Sequence, residues 1–123
     1  MNHLLLAALG LAGVFTRYGI QLTVLKITES HSPLATAGIN MVGSFLFGIT
    51  YALSRERQII PESLVTPLMT GFLGGFTTFS AFSLDSLSYF STERYLSLGI
   101  YVLASVGGGI SFTALGIHLA KFI

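Results

Sequence analysis

The sequence predicts an all-α membrane protein with four transmembrane helices, the third of them broken, in a single transmembrane domain over residues 1–123. Composition is the first reason, because 52% of the residues are hydrophobic and only 9% are charged, whereas a soluble domain carries about 25% charged residues. The second reason is distribution, since the charges cluster in short segments between four long apolar stretches. The third reason is a glycine pair followed by a threonine pair within the third stretch, at 74–75 and 77–78, a combination that weakens a helix.

The four apolar stretches cover residues of about 4–25, 34–54, 64–90 and 96–120. A helix needs about 20 apolar residues to cross the hydrocarbon core, and each stretch is long enough. Because lipid offers no partners to the backbone, each stretch is expected to be helical. The first one is interpreted as a retained helix and not as a signal peptide, since it lacks a basic start and contains Arg17.

The basic residues outside the spans give a weak orientation signal. Four spans place the second loop and the C-terminus on one side, with Arg55, Arg57 and Lys121, and leave Lys26 and Arg94 on the other. Orientation follows the Lys and Arg count of short loops, and three against two is a poor bias. Two interpretations remain open: other features orient the chain, or copies insert both ways and pair head-to-tail.

Several function classes find no support in the residues. The formal charge is +1 without a basic block, which argues against a nucleic-acid partner. There are no cysteines, so disulfides and thiolate chemistry are excluded. His3, His31 and His118 have no metal-ligand spacing, and no catalytic triad or phosphate-binding loop occurs. The chain is therefore predicted not to be an enzyme.

Polar residues inside the first two spans are candidates for function, because burying them in a membrane is costly. Arg17 either snorkels or caps backbone carbonyls, or it attracts anions in a vestibule. Asn40, in the middle of the second span, either joins helices or donates its amide hydrogens to a permeating anion. Ser44 follows one helical turn later on the same face.

The third span contains the most informative segment, residues 71–83. A helix break in mid-membrane exposes carbonyls and amides and is tolerated only when it is buried in protein or lines a cavity. Exposed carbonyls are good ligands for hard cations. Phe79 and Phe82 share a helical face, and they serve either ordinary packing or an anion that meets the positive edges of their rings.

The fourth span carries a stripe of hydroxyl groups. Tyr101, Ser105 and Thr113 recur at multiples of four residues, and Gly109 occupies the remaining step. These hydroxyls either bond to carbonyls of their own helix or form a polar path for a small ion. Asp85, late in the third span, is interpreted as a partner for Arg17 or for a loop cation.

Together these residues resemble the small fluoride channels of the Fluc/CrcB family over nearly the whole chain. The motifs that carry the resemblance are Gly10-x-x-Gly13-x-x-x-Arg17-Tyr18, Asn40-x-x-Gly43-Ser44-Phe45 and Gly71-Phe72-x-Gly74-Gly75-x-Thr77-Thr78-Phe79-Ser80-x-Phe82. The third motif is the most specific, because a Gly-Gly and Thr-Thr break followed by spaced phenylalanines is unusual.

The resemblance implies an antiparallel, dual-topology homodimer with two fluoride pores in the inner membrane. It implies passive export of cytoplasmic fluoride and a structural Na⁺ at the dimer centre, held by backbone carbonyls of Gly74 and Thr77. The residues that it places along the fluoride pathway are Arg17, Asn40, Phe79, Ser80, Phe82, Tyr101, Ser105 and Thr113. Gly109 departs from the pattern, since a hydroxyl residue is expected there, and a water could substitute for it.

Three other functions are considered for a small four-helix membrane protein. A proton-coupled multidrug-type exporter needs a carboxylate embedded in the membrane, normally in the first span, and that span has no Asp or Glu. A proton/fluoride antiporter also needs a titratable group in its pathway. An accessory subunit without transport of its own would form a stable complex with a larger partner and give no flux alone.

Overall fold

The computed structural model describes residues 2–123 and begins with two long helices. Helix α1 spans His3–Thr28, and its first turn is capped by Asn2, whose side-chain oxygen accepts a hydrogen bond from a backbone amide at 3.2 Å. Helix α2 spans Pro33–Tyr51 and continues into a π-helical turn, Ala52–Glu56. Proline at the first position of α2 suits a helix start, because its missing N–H would have no partner there.

The third span is built from two halves. Its first half contains α3 (Glu62–Thr66), a π-helical segment (Pro67–Leu73) and one further turn, α4 (Gly74–Phe76). Residues 77–78 are extended, and α5 (Phe79–Ser91) forms the second half. The predicted break is therefore present, but it falls at the threonine pair, whereas the glycine pair is still helical.

The fourth span is a single helix, α6 (Tyr95–Leu119), which ends in one 3₁₀ turn (Ala120–Phe122). Within residues 2–123, three segments are long and apolar enough to cross a membrane without interruption: His3–Thr28, Pro33–Glu56 and Tyr95–Phe122. The broken third span makes the fourth crossing from two shorter helices. The predicted all-α membrane fold with four spans is thus confirmed.

Helices α2 and α6 form an extensive contact. They approach closely because glycines lie at the crossing: a Cβ on Gly48 would overlap the carbonyl oxygen of Thr113, and one on Gly116 would overlap that of Phe45. Small residues at such crossings allow two membrane helices to gain van der Waals contact along their backbones. This contact fixes the register of α2 against α6.

Helix α1 packs along the first half of the third span. A Cβ on Gly13 would overlap the carbonyl oxygen of Phe72, and one on Gly75 would lie 2.6 Å from the carbonyl oxygen of Gly10. Gly75 of the glycine pair therefore serves close packing against α1. This requirement explains why glycine occurs in a segment that remains helical.

Two contacts define the ends of the bundle. Arg57, after α2, donates from Nη1 to the carbonyl oxygen of Lys121 at 2.7 Å. His31, before α2, lies 2.8 Å from a carboxylate oxygen of Asp85 in α5. The second loop and the C-terminus therefore share one end, as an even number of crossings requires, and the first loop lies at the other.

Candidate functional site: a polar groove at the broken helix

The break at Thr77 and Thr78 is stabilised by the side chains of the two threonines. The amide and the hydroxyl of Thr77 both donate to the carbonyl oxygen of Leu73, at 2.9 and 2.8 Å, which ends α4. The hydroxyl oxygen of Thr78 accepts from the amide of Ala81 at 3.2 Å, which caps α5. Both threonines have extended backbone angles, as β-branched residues prefer.

Asn40 of α2 bonds to the backbone of the break. Its Nδ2 donates to the carbonyl oxygen of Thr78 at 2.9 Å, and its Oδ1 accepts from the amide of Thr78 at 2.8 Å. A side-chain amide has two N–H donors, so one donor of Asn40 remains after this pairing. The two roles that the sequence suggests for Asn40, joining helices and donating to an ion, are therefore compatible.

These hydrogen bonds leave two carbonyl groups without their usual helical partners. In a continuous helix, Gly74 and Thr77 would accept from the amides four residues later, those of Thr78 and Ala81. Those amides bond instead to Asn40 and to the hydroxyl of Thr78. The carbonyls of Gly74 and Thr77 are the two that the sequence analysis connects with a cation.

Arg17 lies beside the break and outside the groove. Its Nε donates to the carbonyl oxygen of Gly75 at 3.1 Å, and the residue is half-buried between α1 and the third span. This contact matches the carbonyl-capping alternative for Arg17. The structure places it next to a carbonyl of α4, just before the break and apart from the hydroxyl stripe of α6.

A polar groove of about 310 Å³ opens where α2, the break, α5 and α6 meet. None of its lining side chains is charged. The lining residues are Asn40, Gly43, Ser44, Phe47, Thr77, Thr78, Phe79, Phe82, Ser105, Val106 and Thr113. The groove therefore offers amide, hydroxyl and aromatic groups to a ligand, and no fixed charge.

The two phenylalanines of the groove form a pair on one face of α5. The ring centroids of Phe79 and Phe82 are 5.6 Å apart, with the planes tilted by 38°. Phe82 also stacks on Tyr101 of α6 at 5.5 Å. Phe79 is 78% exposed in the single chain, although it lines the groove. The pair is thus held by α6 on one side and uncovered on the other.

Tyr101 lies behind the phenylalanine pair, outside the groove lining. Its hydroxyl donates to Oδ2 of Asp85 at 3.1 Å, and the other carboxylate oxygen of Asp85 lies 2.8 Å from Nε2 of His31. Asp85 is 3% exposed. Asp85 therefore pairs with His31 of the first loop and with Tyr101, whereas Arg17, the other partner considered for it, is engaged with Gly75.

Two residues of the hydroxyl stripe, Ser105 and Thr113, line the groove. Thr113 donates to the carbonyls of Ser44 and Gly109, at 3.2 and 3.0 Å. The buried hydroxyl of Ser105 has no hydrogen-bond partner among residues 2–123. A buried hydroxyl without a partner is costly, so Ser105 is a natural contact for a ligand in the groove.

The structure brings together most of the residues that the sequence analysis places on the fluoride pathway. Five of them line the groove: Asn40, Phe79, Phe82, Ser105 and Thr113. Tyr101 supports Phe82 from behind, and the hydroxyl of Ser80 pairs with that of Thr78 at 3.2 Å beside the groove.

Several lining residues had not been assigned a pathway role from the sequence. For Thr78 the sequence did contain a signal, because threonine is a favoured residue at a helix N-cap. In the structure Thr78 caps α5 by accepting a hydrogen bond from the amide of Ala81. Phe47 and Val106 had none, since apolar residues in a membrane span are expected everywhere. Gly43 lies so close to Thr77 that a Cβ there would overlap the threonine methyl group.

The fold and the groove define a multi-pass integral membrane protein with an uncharged groove that offers amide, hydroxyl and aromatic groups. The family model described as CrcB-like protein, Camphor Resistance (CrcB), matches residues 4–117. The chain belongs to this family, as the resemblance predicted, and the membership confirms that the chain is not an enzyme.

Relatives from several bacteria match the chain over most of their length. A protein of Rhizobium leguminosarum bv. trifolii, named fluoride-specific ion channel FluC, is 40% identical over 98% of this chain and 97% of its own. A protein of Bacillus cereus, named fluoride-specific ion channel FluC 1, is 33% identical over 98% of this chain and 88% of its own. One of Azobacteroides pseudotrichonymphae, also named fluoride-specific ion channel FluC, is 34% identical over 89% of this chain.

Proposed function

We propose that the chain is a fluoride-selective ion channel that passively exports cytoplasmic fluoride across the inner membrane. The observation that carries the proposal is the polar groove, which contains neutral hydrogen-bond donors and a phenylalanine pair and no charged side chain. The names of its relatives support fluoride as the ion. Fluoride is small and strongly hydrated, so a dry pathway has to replace its water shell with donors.

The groove supplies donors of suitable kinds. The second N–H of Asn40 and the unpartnered hydroxyl of Ser105 are available to an anion. The edges of Phe79 and Phe82 carry positive partial charge and add weaker attraction. Because no lysine or arginine lines the groove, an ion that enters is not held by a fixed opposite charge, and it can leave.

The functional unit in this proposal is an antiparallel homodimer with two pores. Support comes from the open side of the groove and from Phe79, whose 78% exposure leaves an aromatic ring for a second copy to cover. The nearly balanced loop charges permit insertion in both orientations. In such a dimer the break in the third span of one copy would lie opposite the break in the third span of the other copy.

A structural Na⁺ at the dimer centre is part of the proposal. The carbonyl oxygens of Gly74 and Thr77 fit a hard cation, because the amides that would normally occupy them bond elsewhere. Each of the two copies would contribute its own pair of carbonyl oxygens, those of Gly74 and Thr77. When bound, the ion would join the two breaks and add positive potential near the pores.

An exporter driven by protons receives less support from the structure. It needs a titratable group in its pathway, and the groove lining contains none. The membrane-embedded carboxylate, Asp85, is occupied by His31 and Tyr101 behind the phenylalanine pair. Passive conduction therefore fits the groove better than coupled export.

Fluoride efflux from liposomes that contain the purified protein tests the proposed function. We expect rapid fluoride release, detected with a fluoride electrode, and no chloride release under the same gradient. Empty liposomes give the background rate. A well-folded protein that releases neither ion would overturn the proposal and favour an accessory role. Release of both ions would overturn the selectivity.

A further inference from the structure

Ser44 of α2 lies at the junction of two cavities. It lines the polar groove, and it also lines a second cavity of about 550 Å³ that continues along α6 past Gly109. Ser105, Val106 and Thr113 are the other residues that line both. An ion that moves from the phenylalanine pair along α6 therefore passes Ser44.

The hydroxyl of Ser44 lies opposite the gap in the hydroxyl stripe. The stripe on α6 runs from Ser105 to Thr113, and Gly109 leaves the step between them without a side chain. A Cβ placed on Gly109 would lie 3.5 Å from Oγ of Ser44. The hydroxyl of Ser44 thus lies next to the position that a side chain at residue 109 would occupy.

The hydroxyl of Ser44 is free, unlike that of Thr50 on the same helix. Serine and threonine within helices commonly bond to the carbonyl four residues earlier, as Thr50 does with Leu46 at 2.8 Å and Thr113 with Gly109 at 3.0 Å. The side chain of Ser44 makes no hydrogen bond within the part of the chain that the structure describes. Its hydroxyl is available to a ligand.

The backbone around Ser44 is held firmly against α6. Its carbonyl oxygen accepts from the hydroxyl of Thr113 at 3.2 Å. The next residue, Phe45, meets Gly116, and Gly48 meets the carbonyl of Thr113. These contacts fix the backbone of the serine against α6, which places its side chain at the height of the gap.

We propose that Ser44 supplies the hydroxyl donor that α6 lacks at Gly109, so that the fluoride path between Ser105 and Thr113 is lined jointly by α2 and α6. The inference rests on the proposed function and extends it to a residue of a different helix. A dehydrated fluoride ion would then meet two unpartnered hydroxyl groups in succession, that of Ser105 on α6 and that of Ser44 on α2. The group that would contact the ion at this step is the neutral hydroxyl of Ser44, which can donate a hydrogen bond to a small anion.

The first test removes the hydroxyl. Ser44→Ala is expected to lower fluoride efflux about tenfold, because a hydrogen bond to a charged group contributes about that factor or more. Ser44→Cys, which keeps a side chain of similar shape with a weak donor, is expected to lower efflux as well. Thr23→Ala serves as control, since that hydroxyl bonds only to the carbonyl of Gly19 on α1.

The second test moves the hydroxyl from α2 to α6. In the Ser44→Ala background, Gly109→Ser is expected to restore most of the efflux, whereas Gly109→Ala is not. The space permits both substitutions, since a Cβ at position 109 makes ordinary contact with Ser44 and the alanine at 44 leaves further room. Size-exclusion profiles of each variant establish that the protein is folded.

The outcomes separate the inference from the function on which it rests. Wild-type conduction with undiminished efflux in Ser44→Ala and Ser44→Cys would overturn the inference alone. Equal rescue by Gly109→Ala and Gly109→Ser would also overturn it, because filled volume would then explain the effect. Absence of fluoride efflux from the wild type would overturn the proposed function and the inference with it.

Discussion

Nε2 of His31, in the first loop, lies 2.8 Å from Oδ1 of Asp85 in α5. The two side chains differ greatly in exposure, with 64% for the histidine and 3% for the aspartate. The second oxygen of Asp85 accepts from the hydroxyl of Tyr101, whose ring stacks on Phe82. A loop at one membrane surface is thus connected through three side chains to a ring of the polar groove.

This connection predicts an order of stability among variants. Asp85→Ala is expected to lower the free energy of unfolding by about 1–3 kcal/mol, because it leaves the buried Tyr101 hydroxyl without an acceptor. His31→Ala is expected to cost less, since the histidine is 64% exposed and water can take its place beside Asp85. Thermal unfolding in detergent measures both. Asp85→Asn keeps an acceptor for the Tyr101 hydroxyl, so its loss of unfolding free energy should lie between those of the two alanine variants. Equal losses for all three variants would contradict this order.

The phenylalanine pair allows a test of the ring-edge contribution. Phe79→Ile and Phe82→Ile keep much of the packing volume and remove the aromatic edge, so each is expected to lower fluoride efflux about 3- to 10-fold. Phe15→Ile is the matched control, because Phe15 on α1 is 67% exposed and outside the groove. Full efflux in both groove variants would remove the aromatic rings from the mechanism.

Asn40 is predicted to be sensitive to loss of its amide hydrogens. Asn40→Asp replaces the donor to the carbonyl of Thr78 by a second oxygen and removes the donor available to an anion. Fluoride efflux is expected to fall about tenfold or more, since a buried carbonyl loses its partner and a negative charge enters the groove. Asn2→Asp should conduct normally, because either residue caps α1. Normal efflux from Asn40→Asp would leave Asn40 with a packing role only.

Two glycines of α6 provide a matched pair for the packing of α2. Gly116→Ala would overlap the carbonyl oxygen of Phe45, and a stability loss of about 1–3 kcal/mol is expected for such overpacking. Gly99→Ala meets nothing within 4 Å, and it should be neutral or stabilising by up to about 1 kcal/mol through helix propensity. Thermal unfolding of the two variants side by side decides whether close approach of the helices requires Gly116.

Dual topology predicts labelling of the C-terminus from both sides of the membrane. A reporter attached after Ile123 should react with reagents on each side in comparable amounts. Adding three lysines there should drive the chain into one orientation, because orientation follows loop Lys and Arg counts. Efflux should then fall, and it should recover when a variant biased the other way is co-expressed. One-sided labelling of the unmodified chain would contradict the antiparallel dimer.

The spans and the presence of a break in the third one were predictable because both depend on local sequence. Long apolar stretches require helices in lipid, and the threonine pair favours extended backbone. Other features depend on residues distant in the sequence. No spacing rule connects His31 with Asp85 or Arg17 with the carbonyl of Gly75.

The glycine pair illustrates a different limit. Local flexibility suggested that it forms the break, yet Gly75 is helical because α1 passes within contact distance of its backbone. The role of Asn40 was predicted as two alternatives, and the structure shows a hydrogen-bond pairing with Thr78 that accommodates both. Such assignments need the relative position of two helices, which a single sequence does not contain.

The pairing of Asn40 with Thr78 also bears on how the chain is assembled during synthesis. The third span cannot satisfy its own backbone at the break, and an open amide or carbonyl in hydrocarbon is costly. Helix α2 precedes the third span in the chain and is therefore made first. When the break leaves the insertion machinery, the amide that completes its backbone is already in the bilayer, so the order of translation favours correct insertion.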